Sequence, residues 1–239
     1  MNIQMALSSV IGFAPAILLL YILLRRYEAF FAERNIFLAL AAGMVLGMII
    51  TVFHLISEYT LLIFVVLFPL FEEAAKLIIL NLPKLHGKFY TIYYGAALGL
   101  GIGSMSIIAI SFSVFSNNPD TISNPQTYFD LVVLSFNFCL VNSATGVMIG
   151  YGCAKEKILS YFSRAFFLHA VYNLFFLLYM WSGEYVKYAP LFVATVLAVG
   201  LFWYALKGLM PDAAPPEMLK KRRRDVRKEA REKRTQKKK

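Results

Sequence analysis

Seven apolar stretches of roughly 20 residues, separated by short polar breaks, constrain this chain more than any other feature. A bilayer core of roughly 30 Å is crossed by about 20 helical residues, because in hydrocarbon only a helix satisfies its own backbone hydrogen bonds. The stretches fall near 4–24, 36–57, 60–80, 91–115, 128–153, 158–180 and 188–207. The spacing predicts an all-α polytopic membrane protein, a bundle of about seven transmembrane helices. With 59% hydrophobic residues, the composition excludes an ordinary soluble domain. The first stretch has no basic residue before it and no small-residue cleavage site, so it reads as a retained helix.

Lys and Arg are distributed unevenly. Connections one, three and five carry Arg25, Arg26 and Arg34, then Lys84 and Lys88, then Lys155 and Lys157. Connections two and four carry none and the sixth has only Lys187. The bias predicts cytoplasmic odd connections, a cytoplasmic C-terminus and an N-terminus outside. Residues 1–207 form the expected membrane domain, and 208–239 a basic, disordered cytoplasmic tail. Thirteen Lys or Arg and three acids crowd into 220–239, which accounts for the whole net charge of +10. No aromatic residue occurs there, so stacking on single-stranded nucleic acid is not encoded and no sequence-specific nucleic-acid partner is expected. The partners left open for the tail are anionic lipid or the ribosome, both electrostatic.

Small-residue ridges occur at Gly43 and Gly47, at Gly95, Gly99 and Gly103, and at Gly146 and Gly150. A four-residue spacing sets each on one helix face, where backbones can approach closely. The ridge of the fourth helix places that helix at the centre, packed within the chain or docking another subunit. Cys139 and Cys153 lie about four turns apart on one helix, beyond disulfide reach.

Ionisable groups within hydrocarbon are costly and mark a functional site or a paired cluster. Glu72, Glu73 and Lys76 lie within one turn of the third stretch, so Lys76 can neutralise one carboxylate. His169 and Asn173 share a face of the sixth, while Asn142 and Ser106 add polarity from the fifth and fourth. Counting inward places Glu72, Glu73, Asn142 and His169 at similar depths, between the bilayer centre and its cytoplasmic third. One glutamate is therefore expected to face His169, with Asn142 and Ser106 lining the same cavity. His54 and His86, near a helix end and in a loop, read as ordinary interfacial histidines.

The run Phe68-Pro69-Leu70-Phe71-Glu72-Glu73-Ala74-Ala75-Lys76 resembles the EExxK motif of the PrsW intramembrane proteases, relatives of CAAX-processing and bacteriocin-processing membrane proteases. Tyr94-Gly95-Ala96-Ala97-Leu98-Gly99-Leu100-Gly101 is similar to the glycine-rich start of their second motif, and Leu168-His169-Ala170-Val171-Tyr172-Asn173 to their HxxxN motif. The likeness covers about 60–175. Ser106 stands where that family carries a glutamate, and Asn142 where it carries a histidine. The same superfamily includes a seven-helix scaffold, the anterior-pharynx-defective subunit of γ-secretase. This chain is similar to it in helix count, the glycine face of the fourth helix, His169 and the Phe13-Ala14-Pro15-Ala16 run.

The resemblance implies two readings, a peptidase with a partly degenerate site in a prokaryotic cell membrane and a non-catalytic scaffold. In the first, the catalytic residues are Glu72, Glu73, His169 and Asn173, with Lys76, Ser106 and Asn142 in support and a transmembrane peptide as substrate. One glutamate activates water, while His169 and Asn173 bind the oxyanion. In the second, the partner is another membrane subunit. No cofactor is expected. Zinc is less favoured, because Glu72, Glu73 and His169 barely make three ligands and adjacent glutamates point about 100° apart.

Overall fold

A computed structural model describes residues 3–27, 30–56, 60–183 and 186–217. Side chains of several further residues, His54 among them, lie outside that description, as does the basic run of 218–239. Helices dominate, in the order α1 (Ile3–Tyr27), α2 (Glu33–Ile56), α3 (Phe68–Leu80), α4 (Thr91–Asn117), α5 (Pro125–Ala154), α6 (Ile158–Trp181), α7 (Tyr188–Tyr204) and the short α8 (Met210–Ala213). No strand occurs among the described residues. Six helical stretches are long and apolar enough to cross a membrane. Large apolar side chains stand exposed on their outer faces, such as Val45, Met48 and Val52 on α2 and Phe192, Val196 and Trp203 on α7. Water would not tolerate such faces, whereas lipid accommodates them. The chain is a helical membrane protein.

The third expected stretch is the exception. Its α-helix is only 13 residues long and is preceded by a π-helical turn at Ile63–Leu67. Pro69 accounts for the irregularity, since it has no N–H and its ring crowds the turn before it. Phe68 donates its N–H five residues back, to the carbonyl of Ile63. In the same register the carbonyl of Phe64 would accept from residue 69, which is proline.

The centre of the bundle is shared by two helices. The apolar stretch of α5 is mostly buried and that of α4 more than half buried, whereas most of α2 faces outward. The glycines explain why α4 and α5 are joined so closely. Gly95 lies against the backbone of Gly146, Gly99 against that of Asn142, and Gly103 against that of Phe138. On another face of α4, Gly101 meets the backbone of Gly43 in α2. Small residues thus permit backbone contact on both sides of α4. The glycine ridge is consumed inside the chain, which corrects the alternative expectation that it docks another subunit.

The expected change of character at Gly208 is also displaced. A second π-helical turn, Ala205–Leu209, continues α7 into α8, and Met210, Ala213 and Ala214 are buried. Tyr27 donates its hydroxyl to the carbonyl of Leu206 at 2.6 Å, and Tyr93 to that of Met210 at 3.2 Å. Tyr151 bonds the Asp212 carboxylate, and Lys155 donates to the Asp212 carbonyl at 3.1 Å. Residues 205–214 are therefore docked onto the bundle, and the membrane domain extends past 207.

The backbone contact at Gly103 generates a test. A Cβ there would sit 2.6 Å from the Phe138 carbonyl oxygen, whereas one at Gly200 would meet nothing within 4 Å. Gly103→Ala should destabilise the protein by about 1–3 kcal/mol. Gly200→Ala should leave it unchanged or raise its stability by about 0.4–1 kcal/mol. Thermal unfolding in detergent compares the two variants directly.

Candidate functional site

Three elements bring the polar residues together. Glu72, Glu73 and Lys76 project from α3, His169 and Asn173 from α6, and Thr145 and Asn142 from α5. All seven are buried. Because successive residues on a helix diverge by about 100°, the two glutamates serve different surroundings.

Glu73 faces inward. Its Oε1 accepts from Lys76 Nζ at 2.7 Å and from His169 Nδ1 at 2.6 Å. Lys76 also donates to Thr145 Oγ1 at 2.8 Å, and that hydroxyl donates to the Asn142 carbonyl at 3.2 Å. Lys76 and Glu73 are both fully buried, so their charges are matched without water. Oε2 of Glu73 has no hydrogen-bond partner among the described residues.

Glu72 faces a cavity. Its Oε2 lies 3.7 Å from His169 Nε2, longer than a hydrogen bond, and has no hydrogen-bond partner among the described residues. Since His169 Nδ1 approaches an anionic acceptor, the N–H of the neutral ring belongs there. Nε2 then faces Glu72 Oε2 across that gap as an acceptor. The histidine lies between the two carboxylates, bonded to Glu73 alone.

The cavity holds about 130 Å³ and is lined from α2, the first π-turn, α3, α4, α5 and α6. Glu72, Ser106, Ser113, Asn173 and Thr51 contribute its polar groups, with Phe64, Phe138 and Phe176 among its apolar walls. Ser106 donates to the Ile102 carbonyl at 3.1 Å, four residues back. Asn173 donates Nδ2 to the Phe64 carbonyl at 3.1 Å. Pro69 has no N–H to offer this carbonyl in the π register, and Asn173 donates to it, tying α6 to the π-turn. The Phe64 ring stacks on Phe176 at 5.6 Å in the same contact.

The expected residues are thus divided between two environments. Glu73, Lys76 and His169 form a closed ionic knot. Glu72, Ser106 and Asn173 border the cavity. Asn142 does not line it, contrary to the sequence-based expectation, because its segment of α5 lies with its backbone against Gly99. Gly95, Gly99 and Gly103 close the α4–α5 interface behind the site. His86 sits in a loop with Nδ1 2.7 Å from Asn81 Oδ1, and Cys139 and Cys153 are buried free thiols.

Some participants carry no signal of their own in the sequence. Thr51 and the three phenylalanines look like ordinary residues of apolar helices, and only the helix packing gathers them. The link between Asn173 and Phe64 could have been found from Pro69, since a proline inside a helix announces an unmatched carbonyl. No group of three or more His, Cys, Asp or Glu side chains is arranged to hold a metal ion among the described residues. Compared with family models, curated proteins and solved structures, the chain finds no match.

The ionic knot carries a stability test. Lys76→Met removes one partner of a fully buried pair and should cost about 3–5 kcal/mol. Adding Glu73→Gln removes the stranded charge as well and should restore most of that loss, because the penalty lies in the unpaired ion rather than in the missing bond. Unfolding midpoints of the single and double variants decide it.

Proposed function

We propose that this protein is a membrane-embedded peptidase of the PrsW-like type. Glu72 is its general base, backed by the Glu73–Lys76–His169 knot. The observation that carries this reading is the pairing of a buried, unpartnered Glu72 oxygen with a polar cavity and a histidine nitrogen behind it. A water in the cavity gives its proton to Glu72 as its oxygen adds to the peptide carbonyl. Glu72 then returns the proton to the leaving amine. His169 backs Glu72 with its Nε2 at 3.7 Å. Asn173 keeps a second amide hydrogen that can reach an oxyanion. Substrates are peptides presented within or beside the bilayer, and no metal is required.

The third stretch counts as a seventh span in this reading, with its broken start over 60–67 set into the outer half of the membrane. The N-terminus lies outside and the C-terminus in the cytoplasm of a prokaryotic cell. The tail at 218–239 contacts anionic lipid or the ribosome.

A second reading, the non-catalytic scaffold, is favoured by specific hydrogen bonds. His169 Nδ1 is committed to Glu73 and Asn173 Nδ2 to a backbone carbonyl, both of which hold helices together. Ser106 and Asn142 likewise replace the acid and histidine of the related proteases.

Incubating the purified protein with a library of membrane-embedded peptides separates the readings. Cleavage that falls at least about a hundredfold in Glu72→Gln, with an unchanged unfolding midpoint, is the expected result. Absence of cleavage together with stable co-purification of another membrane subunit would favour the scaffold. Orientation is tested by labelling single cysteines placed at two exposed positions, Asn118 and Lys84, against the buried native thiols. Asn118→Cys should react from outside and Lys84→Cys only from the cytoplasm. The opposite pattern would invert the topology.

A further inference from the structure

The cavity beside Glu72 has an unusual inventory. Its one ionisable group is the Glu72 carboxyl, and no Lys or Arg is among the lining residues. Glu72 is 2% exposed and its Oε2 has no hydrogen-bond partner among the described residues, and Thr51 is 7% exposed with an equally unpartnered Oγ1. Ser106 spends its single proton on the Ile102 carbonyl and keeps lone pairs free. Three phenylalanine rings complete the lining, with Phe64 stacked on Phe176 at 5.6 Å and Phe138 edge-on to Phe176 at 5.3 Å.

Each of these features selects the same chemistry. An ammonium group has three donors and no acceptor, so it complements three acceptors. A carboxylate in a low-dielectric wall favours a cation over a neutral guest. Aromatic rings attract cations through their faces. About 130 Å³ is close to the size of a protein cavity that holds one benzene molecule, so the guest has about five or six heavy atoms. A carboxylate or phosphate guest would set its negative charge against the Glu72 carboxylate.

We propose that this cavity binds a primary alkylammonium group, its N–H bonds directed to Glu72, Thr51 and Ser106 and its carbon chain lying against Phe64, Phe138 and Phe176. The end of a lysine side chain in a membrane peptide and the amine headgroup of a lipid share this chemistry. The site is the one assigned to the peptidase, but binding does not depend on hydrolysis.

The test uses the full-length protein in a detergent without amines. Butylammonium chloride is titrated by calorimetry and by thermal midpoint, with 1-butanol as the uncharged analogue of equal size. Saturable binding of butylammonium, at least about tenfold tighter than 1-butanol, is expected. Glu72→Gln should weaken it at least about tenfold, and Ala109→Phe, which fills the cavity from α4, should abolish it. Should Glu72→Gln fail to fold, Thr51→Val with Ala109→Phe carries the same comparison.

Equal binding of butanol and butylammonium would reduce the cavity to an apolar hole, and no saturable response to either would leave it a water pocket. Each overturns the proposal, as does a folded Ala109→Phe that binds like wild type. Competition by phosphatidylethanolamine but not phosphatidylcholine identifies a lipid source. Competition by an apolar helical peptide with one lysine, but not by its norleucine version, identifies a peptide source. If neither competes, the proposal falls. Butylammonium binding without any peptidase activity sinks only the hydrolase reading, whereas cleavage with no ammonium binding sinks only this inference.

Discussion

One carboxylate oxygen, Oε1 of Glu73, receives both an ammonium from its own helix and an imidazole from α6. In hydrocarbon no water can replace either donor, so the register of α3 against α6 is set by those two bonds. Lys76 extends the same constraint to α5 through Thr145. The remaining polar geometry depends on this three-way tie. With Glu73 held inward, Glu72 is turned toward the cavity by the pitch of the helix alone. His169, held by Nδ1, presents its other nitrogen to Glu72. A buried ion pair of this kind adds little net stability over an apolar replacement, yet it punishes any arrangement that separates the partners.

Around that tie, the scaffold is built from backbone contact rather than side-chain bulk. The hydrophobic effect does not drive apolar helices together within lipid, so close packing and hydrogen bonds have to do so. The glycines of α4 let α5 approach along one face and α2 along another. At the opposite end from the cavity, tyrosines from α1, α4 and α5 hold the chain after α7 to the bundle through its carbonyls and Asp212. The long helices thus enclose the polar site in a wall that is apolar toward lipid and closely fitted within.

Much of this was legible in the residues. The lengths of apolar stretches located the long helices, because hydrocarbon thickness leaves few alternatives. The spacing of Glu72, Glu73, Lys76, His169 and Asn173 located the polar tie, because charge in lipid demands a partner. Which glutamate met the histidine was not legible, since both lie within reach of Lys76 and the choice depends on the azimuth of α3. Asn142 was misplaced for a related reason. Depth can be counted along a helix, whereas the direction in which a side chain points depends on how α5 seats against Gly99. The continuation past Gly208 was hidden because glycine and proline normally end helices, and here distant tyrosines hold the chain in place.

The π-turn before Pro69 has a consequence for the phase of α3. A π-turn holds one residue more than the α-turn it replaces, so α3 is rotated by about 100° relative to the continuation of an unbroken helix. The glutamates therefore face their partners by virtue of a surplus residue upstream, somewhere within Ile63–Leu67. Deleting one residue there is absorbed by conversion to ordinary α-helix, leaving Glu72, Glu73 and Lys76 in place. Deleting one residue between Phe68 and Glu72 carries Glu73 into the place of Glu72 and Glu72 into that of Phe71, away from the cavity. The segment tolerates a change of length on one side of Pro69 and not on the other.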